Sequence, residues 1–257
     1  MTDELVHYAH AGGVATITLD SPHNRNALSA QLRSELGERL TRAQEDSDVR
    51  VIVLDHTGPV FCAGMDLKEA KGSDSSDQGV NEFPRILEQI WTSQKPVVAK
   101  LAGPARAGGI GIIAAADIAV ADSAATFAFS EVRIGVVPAI ISITVLPRLQ
   151  ARAAHELFLT GETFDATRAA NIGLINSAVP ADQLDTEVNR FVTALTKGGP
   201  NAIAATKELL REEQPTEMSA AFAAMTERSA QFFASEEGQE GITAFAQKRH
   251  PNWVPQA

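Results

Sequence analysis

Glu131 lies in the run Phe129-Ser-Glu-Val-Arg-Ile-Gly-Val-Val-Pro138, which is mostly apolar or turn-forming. Loss of hydration favours the neutral form of a carboxyl. Its pKa then rises toward the range in which one group can both take and return a proton. Two glycine-bearing segments upstream offer complementary chemistry. Gly103-Pro-Ala-Arg-Ala-Gly108-Gly-Ile-Gly111 follows a buried-looking strand and opens an apolar helix. The start of a helix presents free amides and a partial positive charge, which suit an anion or a developing oxyanion. Phe61-Cys-Ala-Gly64-Met-Asp-Leu67 is a small-residue turn between strand and helix. Its glycine permits the close approach needed to aim a backbone N–H into a cavity.

Each segment alone also has a purely structural reading. The first turn can be a tight connection, the second a helix packed closely on a sheet, and Glu131 a partner of Arg133 or a helix cap. Gly109-Ile-Gly111-Ile-Ile-Ala114, with Glu131 about 20 residues on, loosely fits a dinucleotide pattern. In that fold the pattern directly follows its strand, whereas a loop separates Leu101 from Gly109. The six histidines (7, 10, 23, 56, 155 and 250) form no metal-ligand spacing. Cys62 has no base near it in sequence, so it reads as packing. Ser130 is not in a nucleophile elbow. Asp66 and Asp117 read as capping or structural carboxylates, with Asp66 a minor candidate for a second acid.

The elements that must position these residues read as follows. Leu5–His10 and Val14–Leu19 form a hairpin through Ala11-Gly12-Gly13. Ser29 caps a helix whose Leu32, Leu36 and Leu40 share one face. Strands are expected at Arg50–Asp55, Pro96–Leu101, Asp117–Ala121, Thr126–Phe129 and Leu174–Val179. Helices are expected around Glu82–Trp91 and Ile110–Ala116. From Ser142 the pattern is largely helical, and about Pro200–Gln247 forms amphipathic helices. Residues 72–79, GSDSSDQG, read as a mobile surface loop. Early alternation and late helices indicate an α/β core with a helical C-terminal part.

The bulk properties restrict the choice further. A chain of 257 residues with net charge −10 lacks the basic excess of a general nucleic-acid binder, though local cations can still hold an anionic group. No apolar run reaches 18 residues, so no membrane span is expected. MTDELVHYAH is not a secretion signal. A single cysteine excludes an internal disulfide. A cytoplasmic setting fits these features.

Taken together, the segments resemble the enoyl-CoA hydratase/isomerase (crotonase) family. FCAGMDL is similar to its first oxyanion segment, and KPVVAKLAGPARAGG to its second. SEVRIGVVP is similar to its catalytic glutamate segment, and Asn24-Arg25-Asn26-Ala27-Leu28-Ser29 to its N-terminal signature. TGE from Thr160, AANIGLIN from Ala169 and FAQKR from Phe245 resemble later landmarks, so the likeness spans nearly the whole chain in order.

The resemblance implies an α/β spiral of ββα units over residues 1–198 and a helical, oligomerising region over 199–257. It implies homotrimers or homohexamers acting on acyl-CoA thioesters, with coenzyme A as part of the substrate and no separate cofactor or metal. It assigns the Met65 and Gly108 amides to an oxyanion hole and Glu131 to acid–base catalysis. It places Arg25, Ala27, Ala63, Asp66, Leu67 and Lys68 along the coenzyme A, and Phe245 and Lys248 where they reach a neighbour's coenzyme A. Arg106 is expected at a substrate carboxylate or at the helix start.

One departure from the family pattern matters. The second glutamate of the two-glutamate hydratases falls at Gly111. Hydration of a 2-enoyl-CoA with one glutamate, double-bond isomerisation, and another family activity such as thioester hydrolysis or decarboxylation all fit. The segment from Glu131 to Ser142 is similar to that of hydratases of branched acyl-CoAs, which favours hydration. A non-catalytic coenzyme A-binding or scaffold member is the alternative of another class.

Overall fold

The computed structural model describes residues 4–70, 82–211 and 218–249. The expected loop at 72–79 lies outside them. The chain opens with the hairpin β1 (Val6–Ala11) and β2 (Val14–Leu19), turned on Gly12-Gly13, which both take positive φ. Helix α1 (Ala30–Glu45) starts where the Ser29 hydroxyl accepts the Leu32 N–H at 3.3 Å. Leu32, Leu36 and Leu40 are at most 1 % exposed. Burying each contributes roughly 1.5–3 kcal/mol.

The chain then repeats one circuit. Strand β3 (Val51–His56) leads to a bridge at Cys62, then to α2 (Leu67–Ala70) and α3 (Glu82–Thr92). Strand β4 (Val97–Leu101) leads to β5 (Ala105–Arg106) and α4 (Gly108–Ala115). Strand β6 (Ile118–Asp122) leads to β7 (Thr126–Ala128), a 3-10 turn at Ser130–Ile134, and helices α5 (Ala139–Val145) and α6 (Ala151–Thr160). Then follow β8 (Phe164–Asp165), α7 (Ala166–Asn171), β9 (Ser177–Val179) and α8 (Leu184–Lys197).

The first strand of each circuit joins a six-stranded sheet, ordered β1-β2-β3-β4-β6-β9. After the hairpin, every pairing in it is parallel. The second strand joins a small sheet, β5-β7-β8, to whose β5 edge Cys62 is bridged at Ala105. This is the expected spiral of ββα units. Parallel neighbours require long crossovers, and the helices supply them. Val51–Leu54 is a continuous buried run, as a strand covered on both faces must be.

Three local expectations need correction. Helix α4 starts at Gly108 rather than Ile110, because the Ala107 carbonyl already accepts the Ile110 and Gly111 N–H groups. Of the expected strand Leu174–Val179 only the last residues pair. The Leu174 and Ile175 N–H groups turn back to the Ala169 carbonyl after Gly173, whose φ is 90°. Helix α5 begins at Ala139, ahead of Ser142, just after Pro138.

Beyond α8 come α9 (Pro200–Leu209), α10 (Met218–Ala234) and α11 (Glu236–Ala246). Helix α10 packs on α5, and α11 packs on the 3-10 turn that bears Glu131. The α11 contact is backbone to backbone. A Cβ on Gly241 would lie 1.9 Å from the Ile134 carbonyl oxygen, so only glycine allows it.

Candidate active site

The turn 61–65 is stitched to two other segments. On one side, the Phe61 N–H donates to the Pro104 carbonyl at 3.0 Å and the Arg106 N–H donates to the Cys62 carbonyl at 3.0 Å. On the other, the Ala63 N–H donates to the Arg25 carbonyl at 3.1 Å and the Leu28 N–H donates to the Gly64 carbonyl at 2.8 Å. Asn26 braces this framework from a buried position with φ of 51°. Its Oδ1 accepts the Ser21 N–H at 2.7 Å, and its Nδ2 donates to the Thr57 and Val60 carbonyls at 3.1 and 2.8 Å. An amide side chain both accepts and donates, and this position needs both.

The stitching brings two amides together. Gly64 has φ of 92°, and a Cβ there would lie 2.9 Å from Ala107 Cβ and 3.5 Å from the Gly108 nitrogen. The Gly64–Met65 peptide therefore runs beside the start of α4. Neither the Met65 nor the Gly108 N–H donates to a backbone carbonyl among the described residues. Ala107, immediately before Gly108, has φ of 46° and ψ of −118°. A non-glycine residue in such a region costs on the order of 1–3 kcal/mol, a strain that clusters at functional sites. Here the conformation turns the chain from β5 into α4 and leaves the Gly108 N–H without a backbone carbonyl among the described residues, at the wall of a cavity.

Glu131 completes the arrangement from the 3-10 turn Ser130–Ile134. Its Oε2 is buried and has no hydrogen-bond partner among the described residues. Burial pushes the carboxyl from 4.5 up to about 7, with only its own backbone N–H opposing. It is not paired with Arg133, whose Nε donates to the Thr160 carbonyl at 2.6 Å. The carboxylate, Met65 and Gly108 line one cavity of about 200 Å³. The remaining wall is largely apolar, with Phe83, Val136, Ile140, Ile141 and Phe233 prominent.

Of the residues expected along coenzyme A, Ala63 and Leu67 line this cavity. Arg25, Ala27, Asp66 and Lys68 do not, although their segments are tied to the same turn. Asp66 accepts the Lys68 N–H at 2.9 Å and the Asn24 amide at 3.3 Å, which makes it a cap for α2 and sets it aside as a second acid. Lys68 and Arg25 are exposed. Phe245 lines the cavity of its own chain, where α11 packs on the turn that bears Glu131. Lys248 is exposed beyond the end of α11 and outside the cavity lining. Arg106 faces away from the cavity and donates to the Thr126 carbonyl at 2.5 Å and the Thr126 hydroxyl at 2.8 Å.

Gly111 is closed to any larger side chain. A Cβ there would lie 2.7 Å from Ile141 Cγ2 and 3.5 Å from Leu87 Cδ1. Cys62 is fully buried, and desolvation pushes its thiol up to about 12. Asp117 is structural, accepting the Val97 N–H at 2.7 Å and the buried Lys207 ammonium at 2.6 Å. Among the described residues no cluster of His, Cys, Asp or Glu could hold a metal ion, and no helix is long and apolar enough to cross a membrane.

The apolar residues from Val136 to Ile141 stand together in the sequence, but nothing local told which way they face. Phe233 and Ser229, supplied by α10, carried no local signal.

The chain is similar to known proteins over nearly its whole length. The mitochondrial enoyl-CoA hydratase domain-containing protein 3 of Rattus norvegicus is 33% identical over 247 residues, covering 94% of this chain and 81% of that one. Carnitinyl-CoA dehydratase of Proteus mirabilis is 32% identical over 256 residues, covering 96% and 97%. The crystal structure of an enoyl-CoA hydratase from Mycobacterium avium superposes with a TM-score of 0.88 at 45% identity, covering 98% of this chain and all of that one. The family model for enoyl-CoA hydratase/isomerase matches residues 9–256, and the chain belongs to that family.

Proposed function

We propose that this protein adds water across the 2,3 double bond of a 2-enoyl-CoA. The observation that carries the reading is the Glu131 Oε2, buried and without a partner among the described residues, in the cavity that Met65 and Gly108 also line. In the proposed reaction the thioester oxygen accepts the Met65 and Gly108 N–H groups. As water attacks C3, Glu131 takes its proton, and the two amides oppose the charge of the enolate. Losing one such donor costs about 2.7–4 kcal/mol in other enzymes. Glu131 then returns a proton to C2. A carboxyl near pH 7 in affinity serves both steps, since its base and acid forms are both populated at neutral pH. The coenzyme A arm would follow the turn 63–67 and the segment 25–28, with Arg25 and Lys68 available to its phosphates.

One observation favours a second reading. Ile141 occupies the room beside residue 111, and among the described residues Glu131 is the one carboxylate in the cavity lining. A single carboxylate suffices to shuttle a proton between C2 and C4 in an isomerase.

Incubation with crotonyl-CoA separates the two. Hydration removes the conjugated thioester absorbance and adds the mass of one water. Glu131→Gln should lower that rate by at least about 10²–10⁴-fold, the usual weight of a general base. Conversion of a 3-enoyl-CoA without mass change, and no hydration, would instead make the protein an isomerase. No turnover of either class would leave the scaffold reading.

A further inference from the structure

Ser229 is a polar residue in an otherwise greasy part of the cavity. It lies on α10, is 4 % exposed, and lines the same cavity as Glu131. Helical Ser and Thr hydroxyls commonly bond back to the carbonyl four residues earlier. Thr41, Thr92, Thr160 and Thr206 all do so, at 2.7–3.0 Å. Ser229 makes no such bond, and its hydroxyl has no partner among the described residues. Unlike Glu131 Oε2, the Ser229 hydroxyl is not shut off from water; it opens on the cavity that the residue lines, where an entering molecule can meet it.

A water in an apolar cavity needs two to four polar partners to stay in one place. Glu131 Oε2 offers one. Ser130 sits on the same 3-10 turn as the carboxylate and can add support only from that wall. Ser229 comes from a different wall, since α10 packs on α5 and α3. Arg133 is directed to Thr160, and residue 111 has no side chain to contribute. We propose that the Ser229 hydroxyl, together with Glu131, holds the attacking water, so that Ser229 is a positioning residue for hydration. It accepts or donates one hydrogen bond to that water, and the proton still passes to Glu131.

The inference rests on the hydratase reading, and one set of measurements separates their failures. Wild type, Ser229→Ala, Ser229→Thr and Ser130→Ala are assayed with crotonyl-CoA for kcat and KM. A nucleophile misplaced by about 1 Å costs about 10²-fold. Ser229→Ala is therefore expected to lose 10- to 100-fold in kcat with KM within about twofold. Ser229→Thr keeps the hydroxyl and should recover at least a third of wild-type kcat, and Ser130→Ala should stay within about threefold. A wild type that does not hydrate defeats the hydratase reading and this inference with it. An active wild type with an unimpaired Ser229→Ala, a loss confined to KM, equal losses in the alanine and threonine variants, or a larger loss in Ser130→Ala overturns the role of Ser229 alone.

Discussion

Glu131 should make the protein less stable as pH rises, and replacing it with glutamine should remove that dependence. Its carboxyl is displaced from 4.5 to about 7 by burial. Below about pH 4.5 the group is protonated whether the chain is folded or not, and it contributes nothing. Between 4.5 and 7 the unfolded chain releases the proton first, while the folded chain retains it. The folded state then binds more protons, so stability falls with rising pH. Above about pH 7 the full cost is present. At about 1.4 kcal/mol per tenfold change in proton affinity, it amounts to roughly 3 kcal/mol.

Glutamine keeps the shape and cannot ionise. Any cost of its amide is the same at every pH. The difference in unfolding free energy between Glu131→Gln and wild type should therefore shift by about 2–3 kcal/mol in favour of glutamine between pH 5 and pH 8. Urea unfolding followed by tryptophan fluorescence, at matched protein concentration so that association contributes equally, measures it. A difference that is flat with pH would mean that the carboxyl ionises in the folded protein as it does in water. That result would remove the desolvated base from which the proposed chemistry starts.

Further outcomes follow from other contacts. Gly64→Ala forces a Cβ to 2.9 Å from Ala107 at a φ of 92°. It should lower kcat on the order of 10²–10³-fold by displacing the Met65 amide, with a smaller change in KM. Asn26→Leu strands the Ser21 N–H and the Thr57 and Val60 carbonyls. Chemical denaturation should show a loss of about 3 kcal/mol or more. Cys62 is buried and its thiol is pushed up to about 12. A thiol reagent at pH 8 should label it only in denaturant, which mass spectrometry reads directly.

Much of the site was legible because its signals are local. Gly64 and Gly108 mark places where a backbone must approach another closely, and Glu131 stood out as a charge in an apolar run. The Ser29 cap and the four-residue spacing of Leu32, Leu36 and Leu40 declared α1 for the same reason. The opening residue of α4 was less legible, since glycines give weak helix signals and the deciding bonds run to Ala107. The strand after Ala169 was over-read because an apolar run cannot tell a buried strand from a buried turn.

What residue types and order determined here is the chemistry on offer: two glycine-bearing turns that free amides, a carboxyl in apolar company, and alternating segments that close into parallel circuits. Tertiary structure decided whether those groups meet, which walls enclose them, and which neighbours compete for them. It turned Arg106 onto Thr126, kept Arg133 off Glu131, and filled the space at Gly111 with Ile141. It also brought Phe245 and Ser229, about 100 residues from Glu131 in the chain, to the same cavity. Desolvation and hydrogen-bond competition depend on what surrounds a group in space, and most of those surroundings come from distant parts of the chain.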